Sequence, residues 1–122
     1  MPPESPVLIR RATAGDRDVI VELNTRLAWE TERLRLDEVR IRDGVAAVLD
    51  GRGEAFYFVA ELDGAVVGQL MLTREWSDWR NGWFYWIQSV YVRETVRQRG
   101  VFRRLFHAAE DWVRSQSDAV GV

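Results

Sequence analysis

Residues 90–105, with the sequence VYVRETVRQRGVFRRL, carry the residue types best suited to bind an anionic ligand. An apolar segment ends at Val92, and residues 93–104 contain five arginines against one glutamate, a local charge of +4. Gly100 precedes an amphipathic segment, and the free N–H groups and positive dipole end of a helix N-terminus bind phosphate groups. A glycine there lets a ligand approach the backbone closely. The pattern predicts a phosphate-binding turn; the alternative is an ordinary solvated turn between a strand and a helix.

The chain up to Val92 has 11 arginines and 15 acidic residues, so the basic stretch lies on an acidic body. A small polyanion fits such an island better than a long nucleic acid, which needs a wider basic surface. There is no cysteine, no lysine and a single histidine, His107, which we expect at the surface. These counts exclude a disulfide, a thiol nucleophile and a Schiff-base lysine, and they argue against a metal site.

The composition predicts one folded domain outside the membrane. Apolar residues make up 47% of the 122 residues, and six Trp, five Phe and three Tyr are too much apolar surface for a disordered chain. No apolar run reaches the roughly 18 residues of a membrane span, and the start of the chain lacks the features of a signal peptide. We therefore expect a cytoplasmic protein with no membrane partner.

A strand and two helices are predicted before the middle of the chain. Residues 1–6 hold all three prolines and are expected to form a flexible leader. A strand is predicted at residues 7–12, and Thr13 with Asp16 has the pattern of a capping box at the start of a helix. A second amphipathic helix is predicted from the apolar residues four, seven and eight positions after Ile41.

The middle of the chain predicts a hairpin. Residues 55–62 and 65–74 resemble strands, and the Asp63-Gly64 pair between them is typical of a type I′ turn. Residues 75–82, EWSDWRNG, are expected to form a polar-aromatic loop.

A long apolar segment and a helix flank the basic stretch. Residues 83–92 are apolar at both odd and even positions, which is typical of a central strand covered on both faces. The helix that starts at Val101 has a wide apolar face, as expected for a helix packed on a sheet. A further strand starts at Ala119, which completes the order β-α-α-β-β-β-α-β of an α+β fold.

The order of these elements resembles that of the GCN5-related N-acetyltransferase (GNAT) family, and so does the basic stretch. The family motif R/Q-x-x-G-x-G/A, whose backbone amides hold the pyrophosphate of acetyl-coenzyme A (acetyl-CoA), aligns here with Arg97, Gln98, Arg99, Gly100, Val101 and Phe102. The resemblance covers residues 7–122 and implies a single acetyltransferase-like domain with a mixed, mainly antiparallel sheet flanked by helices. Phe102 stands where the family has Gly or Ala, which is compatible with the site if its side chain turns into the core.

This resemblance also implies how the chain would bind acetyl-CoA. In the family, the strand before the motif offers main-chain groups to the pantetheine arm, and these fall here on Val90, Tyr91 and Val92. A backbone N–H near Val90 would polarise the thioester carbonyl, because attack on a thioester builds negative charge on its oxygen. Acetyl-CoA is the expected donor and a small amine the expected acceptor.

The general base is less evident than the donor site. Several family members have a Glu at the position of Trp86, and a Trp side chain cannot accept a proton. Gln88 has the same strand parity and could order a water or bind the acceptor. Glu75 and Asp78 are the nearest carboxylates along the chain, either as catalytic groups or as surface-loop residues. The nearby aromatic residues, which either line an acceptor pocket or cover the edge of the sheet, are Trp76, Trp79 and Trp83.

The family normally continues beyond the strand that starts at Ala119 into a further helix and strand. The resemblance therefore implies a domain that is truncated at its C-terminus, with an open sheet edge that a homodimer would complete. The expected function is transfer of an acetyl group from acetyl-CoA to an unidentified amine. The alternative is a truncated or degenerate GNAT-like module that dimerises, binds CoA weakly or not at all, and has no catalytic activity.

Overall fold

The computed structural model describes residues 6–122, which form a five-stranded sheet and three longer helices. The predicted leader at residues 1–6 lies outside the described residues apart from Pro6. The strands are β1 (Leu8–Arg11), β2 (Phe56–Leu62), β3 (Ala65–Ser77), β4 (Gly82–Val92) and β5 (Ala119–Gly121). The helices are α1 (Arg17–Glu32), α2 (Glu38–Leu49) and α3 (Val101–Arg114), and short 3-10 turns lie at Ala14–Asp16, Arg52–Glu54 and Glu94–Arg99.

The strands lie in the order β1-β2-β3-β4-β5. Every neighbouring pair is antiparallel except β4 and β5, which are parallel. The predicted α+β fold with a mixed, mainly antiparallel sheet is therefore confirmed.

Apolar side chains form one cluster on each face of the sheet. The helix α3 covers one face through buried residues spaced four apart, which are Val101, Leu105, Ala109 and Val113. The helices α1 and α2 cover the other face through buried residues that include Ile20, Leu23 and Val45. Burying one large aliphatic side chain of this kind contributes about 1.5–3 kcal/mol. This packing fixes the start of α3 against β4.

Two predictions from local sequence chemistry are confirmed. The Asp16 carboxylate accepts a hydrogen bond of 2.8 Å from the Thr13 N–H, as the capping-box pattern requires. Asp63 and Gly64 have φ values of 52° and 80°. A type I′ turn needs positive φ at both central residues, so the hairpin between β2 and β3 forms as expected.

The prediction of a loop over residues 75–82 is wrong for half of that segment. Strand β3 continues to Ser77 and β4 starts at Gly82, so the connecting turn spans only residues 78–81. Glu75 lies opposite Phe84, and Trp76 lies opposite Trp83. The two indole rings make an edge-to-face contact with centroids 5.1 Å apart. Cross-strand aromatic contacts of this kind stabilise a hairpin, and they outweigh the polar composition of the segment.

The prediction that β4 is covered on both faces is also wrong. Tyr91 and the neighbouring Met71 of β3 pack against the cluster under α1 and α2, but Trp86 nearer the start of β4 is 53% exposed. On its outer side β4 pairs with β5 only at Trp83 and Phe84, within the part of the chain that is described. The strand's apolar composition therefore reflects an open surface as well as a core.

Candidate functional site

Strand β4 contains a β-bulge immediately before its end. Gln69 of β3 lies opposite Tyr91 and Met71 lies opposite Gln88, so two residues of β4, Ser89 and Val90, occupy the place of one. Ser89 has a φ of 52°, in the left-handed region that few residues other than glycine adopt. A bulge bends its strand and changes the direction of the groups beside it, and bulges are common next to active sites.

The last residues of β4 turn some of their backbone groups away from β3. The Arg93 N–H donates to the Val67 carbonyl of β3 at 2.8 Å, and backbone groups alternate in direction along a strand. Tyr91 therefore faces β3 and Val92 faces the outer edge of β4, while Val90 of the bulge lines a groove at this edge. Among residues 6–122, β5 pairs with β4 only at Trp83 and Phe84, so no described strand pairs with this part of the edge.

A groove of about 340 Å³ lies against this open edge. It brings together five residues that the family resemblance assigns to acetyl-CoA, which are Val90, Tyr91, Val92, Arg97 and Phe102. The other wall comes from α1 through Leu27, Glu30 and Thr31. The lining is largely apolar, with charged groups at one end, so it fits an extended arm that carries an anionic group.

The N-terminus of α3 has the features of a phosphate site. Gly100 has a φ of 74°, and a Cβ atom placed on it would meet no other atom within 4 Å. The Arg104 N–H makes the first bond of the helix, to the Gly100 carbonyl at 3.2 Å. The N–H groups before it, from Val101 to Arg103, precede the helical ladder and point out of the helix end. Gln98 and Arg99 lie in the 3-10 turn that leads to this end.

Two arginines of the basic stretch are held by acidic residues of α1. Arg93 makes two hydrogen bonds to Glu22, of 2.9 and 3.0 Å, and these hold the pKa of the Glu22 carboxyl at about 2. Arg97 donates to the Val92 carbonyl at 2.8 Å and lies 3.3 Å from Glu30. The full local charge of +4 is therefore not available to a ligand, and part of it joins α1 to the end of β4.

Tyr91 and Glu30 interact where α1 meets β4. Burial raises the pKa of the Tyr91 hydroxyl. A hydrogen bond from that hydroxyl, together with Arg97, lowers the pKa of Glu30. The Arg97 guanidinium also lies 5.3 Å from the centre of the Tyr91 ring.

The side chain of Phe102 does not turn into the core. Its side chain is 51% exposed, lines the groove and stacks on Phe106 with ring centroids 6.3 Å apart. The physical reason is helical periodicity. Val101 and Leu105 face the sheet, and Phe102, one residue after Val101, therefore projects to the side of the helix instead of into the core.

The three predicted catalytic residues lie at different distances from the bulge. Gln88 is adjacent to it, and its Nε2 donates to the Thr73 hydroxyl at 3.0 Å. Glu75 lies opposite Phe84, on the same face of the sheet as Gln88. Phe84 is six residues from Val90, so Glu75 lies roughly 20 Å from Val90 along the strand direction. Asp78 lies in the turn at the end of the hairpin, still farther away. Only Gln88 is placed next to the groove.

The remaining aromatic and histidine candidates lie away from the groove. Trp76 and Trp83 cover the end of the sheet on the α3 side, and Trp79 is 91% exposed in the hairpin turn. His107 is exposed on α3, as expected. Among residues 6–122, no group of His, Asp and Glu side chains is placed to hold a metal ion. No helix in that range has the length and apolar character needed to cross a membrane.

Comparison with known proteins identifies the family to which this sequence belongs. The sequence matches the model of the acetyltransferase (GNAT) family over residues 20–121. The chain belongs to the GNAT acetyltransferase family. Enzymes of this family use acetyl-CoA as the acyl donor. No protein with a curated description matches the sequence.

Three solved structures illustrate the likeness of this GNAT domain. A possible acetyltransferase from Clostridium difficile 630 is 42% identical with a TM-score of 0.88, and the match covers 94% of this chain and 76% of that one. A GCN5-related N-acetyltransferase from Ralstonia eutropha JMP134 is 21% identical with a TM-score of 0.70, covering 96% and 83%. The aminoglycoside N-acetyltransferase AAC(6')-Iy in complex with CoA is 17% identical with a TM-score of 0.75, covering 100% and 80%. The last two show likeness of fold alone.

Proposed function

We propose that this GNAT domain transfers the acetyl group of acetyl-CoA to a small amine, and that residues 90–92 and 97–102 bind the donor. The observation that supports this most strongly is the groove between the open edge of β4 and the start of α3. A solved structure of the same fold, AAC(6')-Iy, holds CoA, which is consistent with a donor site of this kind.

The start of α3 would bind the pyrophosphate of the donor. The N–H groups of Val101, Phe102 and Arg103 and the helix dipole favour negative charge there. The space above Gly100 allows close approach of the phosphate oxygens to the backbone. Arg103 and Arg104 are exposed in the first turn and add positive charge.

The edge of β4 would bind the pantetheine arm and activate the thioester. The Val92 carbonyl is already bonded to Arg97, so the N–H groups of Val92 and Val90 would be the main-chain groups offered to the arm, and the Val90 N–H would donate to the thioester carbonyl oxygen. In the transfer, the amine nitrogen forms a bond to the carbonyl carbon and the carbon–sulfur bond breaks. A fixed N–H donor stabilises the negative charge that develops on oxygen, and loss of one such donor reduces kcat by about 100- to 1,000-fold.

The open face of β3 and β4 next to the bulge would receive the acceptor amine. Gln88 is fixed there because its Nε2 donates to Thr73, which leaves Oε1 as the atom it offers to a ligand. We assign Gln88 to binding the amine or the water that takes its proton, and the CoA thiolate takes a proton from solvent. Glu75 and Asp78, farther along the same hairpin, would attract a cationic acceptor rather than take its proton.

The test is calorimetric titration of the wild type and two glycine variants with acetyl-CoA. Gly100→Glu places a side chain and a negative charge where phosphate would lie, so we expect binding to weaken by about 100-fold or more. Gly51→Glu is the matched control, because Gly51 also has positive φ, at 85°, and open space around its Cβ position. Both variants carry the same backbone strain, of about 1–2 kcal/mol. If Gly100→Glu binds acetyl-CoA as tightly as Gly51→Glu, the phosphate site is misassigned.

A measurement of free CoA thiol distinguishes the acetyltransferase from the alternative, a non-catalytic GNAT-like module. The acetyltransferase proposal expects release of free CoA with at least one member of a panel of small amines, and the module expects none. The homodimer and the cytoplasmic location stay predictions, and light scattering of the purified chain tests the first of them.

A further inference from the structure

We propose that Gln69 of β3 is a positioning residue that holds the bulge of β4 and thereby fixes the direction of the Val90 N–H. The proposal rests on the acetyl-transfer function proposed above, because it concerns the group that would polarise the thioester carbonyl. Gln69 is 0% exposed and lies opposite Tyr91, directly beside the two bulge residues of β4, Ser89 and Val90.

One hydrogen bond joins Gln69 to the bulge. Its Nε2 donates to the Ser89 carbonyl at 3.0 Å. Only the nitrogen of the side-chain amide can donate to a carbonyl, so this bond fixes which way the amide points. Ser89 is the residue with the left-handed backbone, at a φ of 52°, and a strained backbone persists where its surroundings hold it.

Apart from that hydrogen bond, burial of the Gln69 side-chain amide is unfavourable for the stability of the fold. Gln69 Oε1 is buried and has no hydrogen-bond partner among the described residues. A buried polar atom without a partner destabilises a fold, and an apolar side chain of similar size would avoid this. The contact with Ser89 is therefore the specific contribution of a glutamine at this place in the sheet.

Loss of the bulge would change the chemistry of the groove. If Ser89 relaxed to extended backbone and β4 paired regularly, the register on one side of the bulge would shift by one residue. A shift of one residue turns every side chain and backbone group to the opposite side. The Val90 N–H would then point to β3 instead of the groove, or Gln88 would leave the acceptor face.

The first experiment compares amide spectra of 15N-labelled chains without ligand. We expect Gln69→Leu to shift the Ser89 and Val90 amide signals of β4 strongly. Asn24→Leu is the matched control, because Asn24 is also a buried amide that donates to a backbone carbonyl, that of Ile20 at 3.1 Å. It should leave the Ser89 and Val90 signals unchanged. If Gln69→Leu also leaves them unchanged, the proposal is overturned.

The second experiment separates positioning from stability by kinetics. With an amine that the wild type acetylates, Gln69→Leu should lower kcat by about 10- to 100-fold and change the KM for acetyl-CoA by less than about threefold, because the phosphate contacts at α3 are intact. Asn24→Leu should keep the wild-type kcat within about twofold. An equal fall in kcat for both variants would indicate a general effect of core damage and overturn the proposal.

Gln69→Glu is a second variant in case Gln69→Leu does not fold. A protonated carboxyl can still donate to the Ser89 carbonyl, whereas an ionised one cannot. The ratio of its kcat to that of the wild type should therefore be near one at low pH and fall as the buried carboxyl ionises. A ratio that does not change with pH would contradict the proposal.

If the wild type does not bind acetyl-CoA, the proposed function fails, and the amide spectra of the unliganded chain still decide the role of Gln69.

Discussion

Phe102 illustrates how a single side chain can serve the groove without serving the core. It stands outside the buried stripe of α3, and its ring lies at the wall of the groove together with Val90 and Val92. The Gly or Ala usual at this motif position would contribute no ring to the wall of the groove. Here the ring adds apolar surface that an extended ligand can cover.

We predict that Phe102→Ala weakens acetyl-CoA binding about 3- to 10-fold. Removing about 50 Å² of apolar contact loses roughly 1.2 kcal/mol of binding free energy. The Tm should change by less than about 2 °C, because the side chain is half exposed and truncation at the surface has little effect on stability. Trp79→Ala, in the exposed hairpin turn, is the control for loss of a surface aromatic ring. Tighter binding by Phe102→Ala would mean that the ring obstructs the site.

The residues of the site differ in how far the sequence could predict them. Residues 97–102 form one contiguous motif, and the glycine in it marks a helix start on purely local grounds. Glu22 and Glu30 reach this region across 71 and 67 positions of the chain, and Gln69 reaches Ser89 across 20. Such pairs have no local pattern, since they arise only when the sheet and α1 are assembled. The positive φ of Ser89 likewise has no signal in its residue type.

At the scale of elements, the contact of β5 with β4 depends on two glycines. A Cβ atom on Gly82 would lie 2.5 Å from a Val120 methyl and 2.7 Å from the Asp118 carbonyl. A Cβ atom on Gly121 would lie 2.6 Å from the Phe84 ring. The parallel pairing at Trp83 and Phe84 therefore needs residues without side chains at the start of β4 and at the end of β5.

We predict that Gly82→Ala lowers the free energy of unfolding by about 1–3 kcal/mol, because overpacking against a backbone carbonyl cannot be relieved by a side-chain rotation. Gly44→Ala in α2 is the control, and we expect a change of the opposite sign because a Cβ atom on Gly44 would have no neighbours within 4 Å. It should stabilise the protein by about 0.5–1 kcal/mol, the usual gain for alanine in a helix. Urea unfolding at pH 7 measures both. A neutral Gly82→Ala would mean that β5 moves away from β4 without penalty.

The elements that could be predicted are those specified by nearby residues. The Asp63-Gly64 turn depends on two adjacent residues, and α3 depends on apolar residues four apart. Residues 75–77 were expected in a loop because their composition is polar and aromatic. They extend β3 instead, since Trp76 and Glu75 gain partners on β4 that the local sequence does not reveal.

At the scale of the whole molecule, carboxylates on and just before α1 tie the N-terminal part to the sheet. Asp16 binds Arg10 of β1, and hydrogen bonds from Arg10 and the Thr13 N–H lower the pKa of its carboxyl. Glu22 binds Arg93 at the end of β4. Each carboxylate is stabilised in its charged form by the folded state, so protonation of these groups favours unfolding.

The pH dependence of unfolding tests this arrangement through Glu22. Its pKa in the folded protein is about 2, below the ordinary value of 4.5, so its contribution is complete above about pH 4.5 and is lost as the pH falls toward 2. Because the pair with Arg93 is partly exposed, we expect Glu22→Gln to lower the free energy of unfolding at pH 7 by only about 0.5–1 kcal/mol. Urea unfolding should show this difference shrinking toward zero at pH 2. Glu32→Gln, at the exposed end of α1, is the control. A difference between Glu22→Gln and the wild type that stays constant from pH 7 to pH 2 would mean that packing, rather than the charge of Glu22, joins α1 to β4.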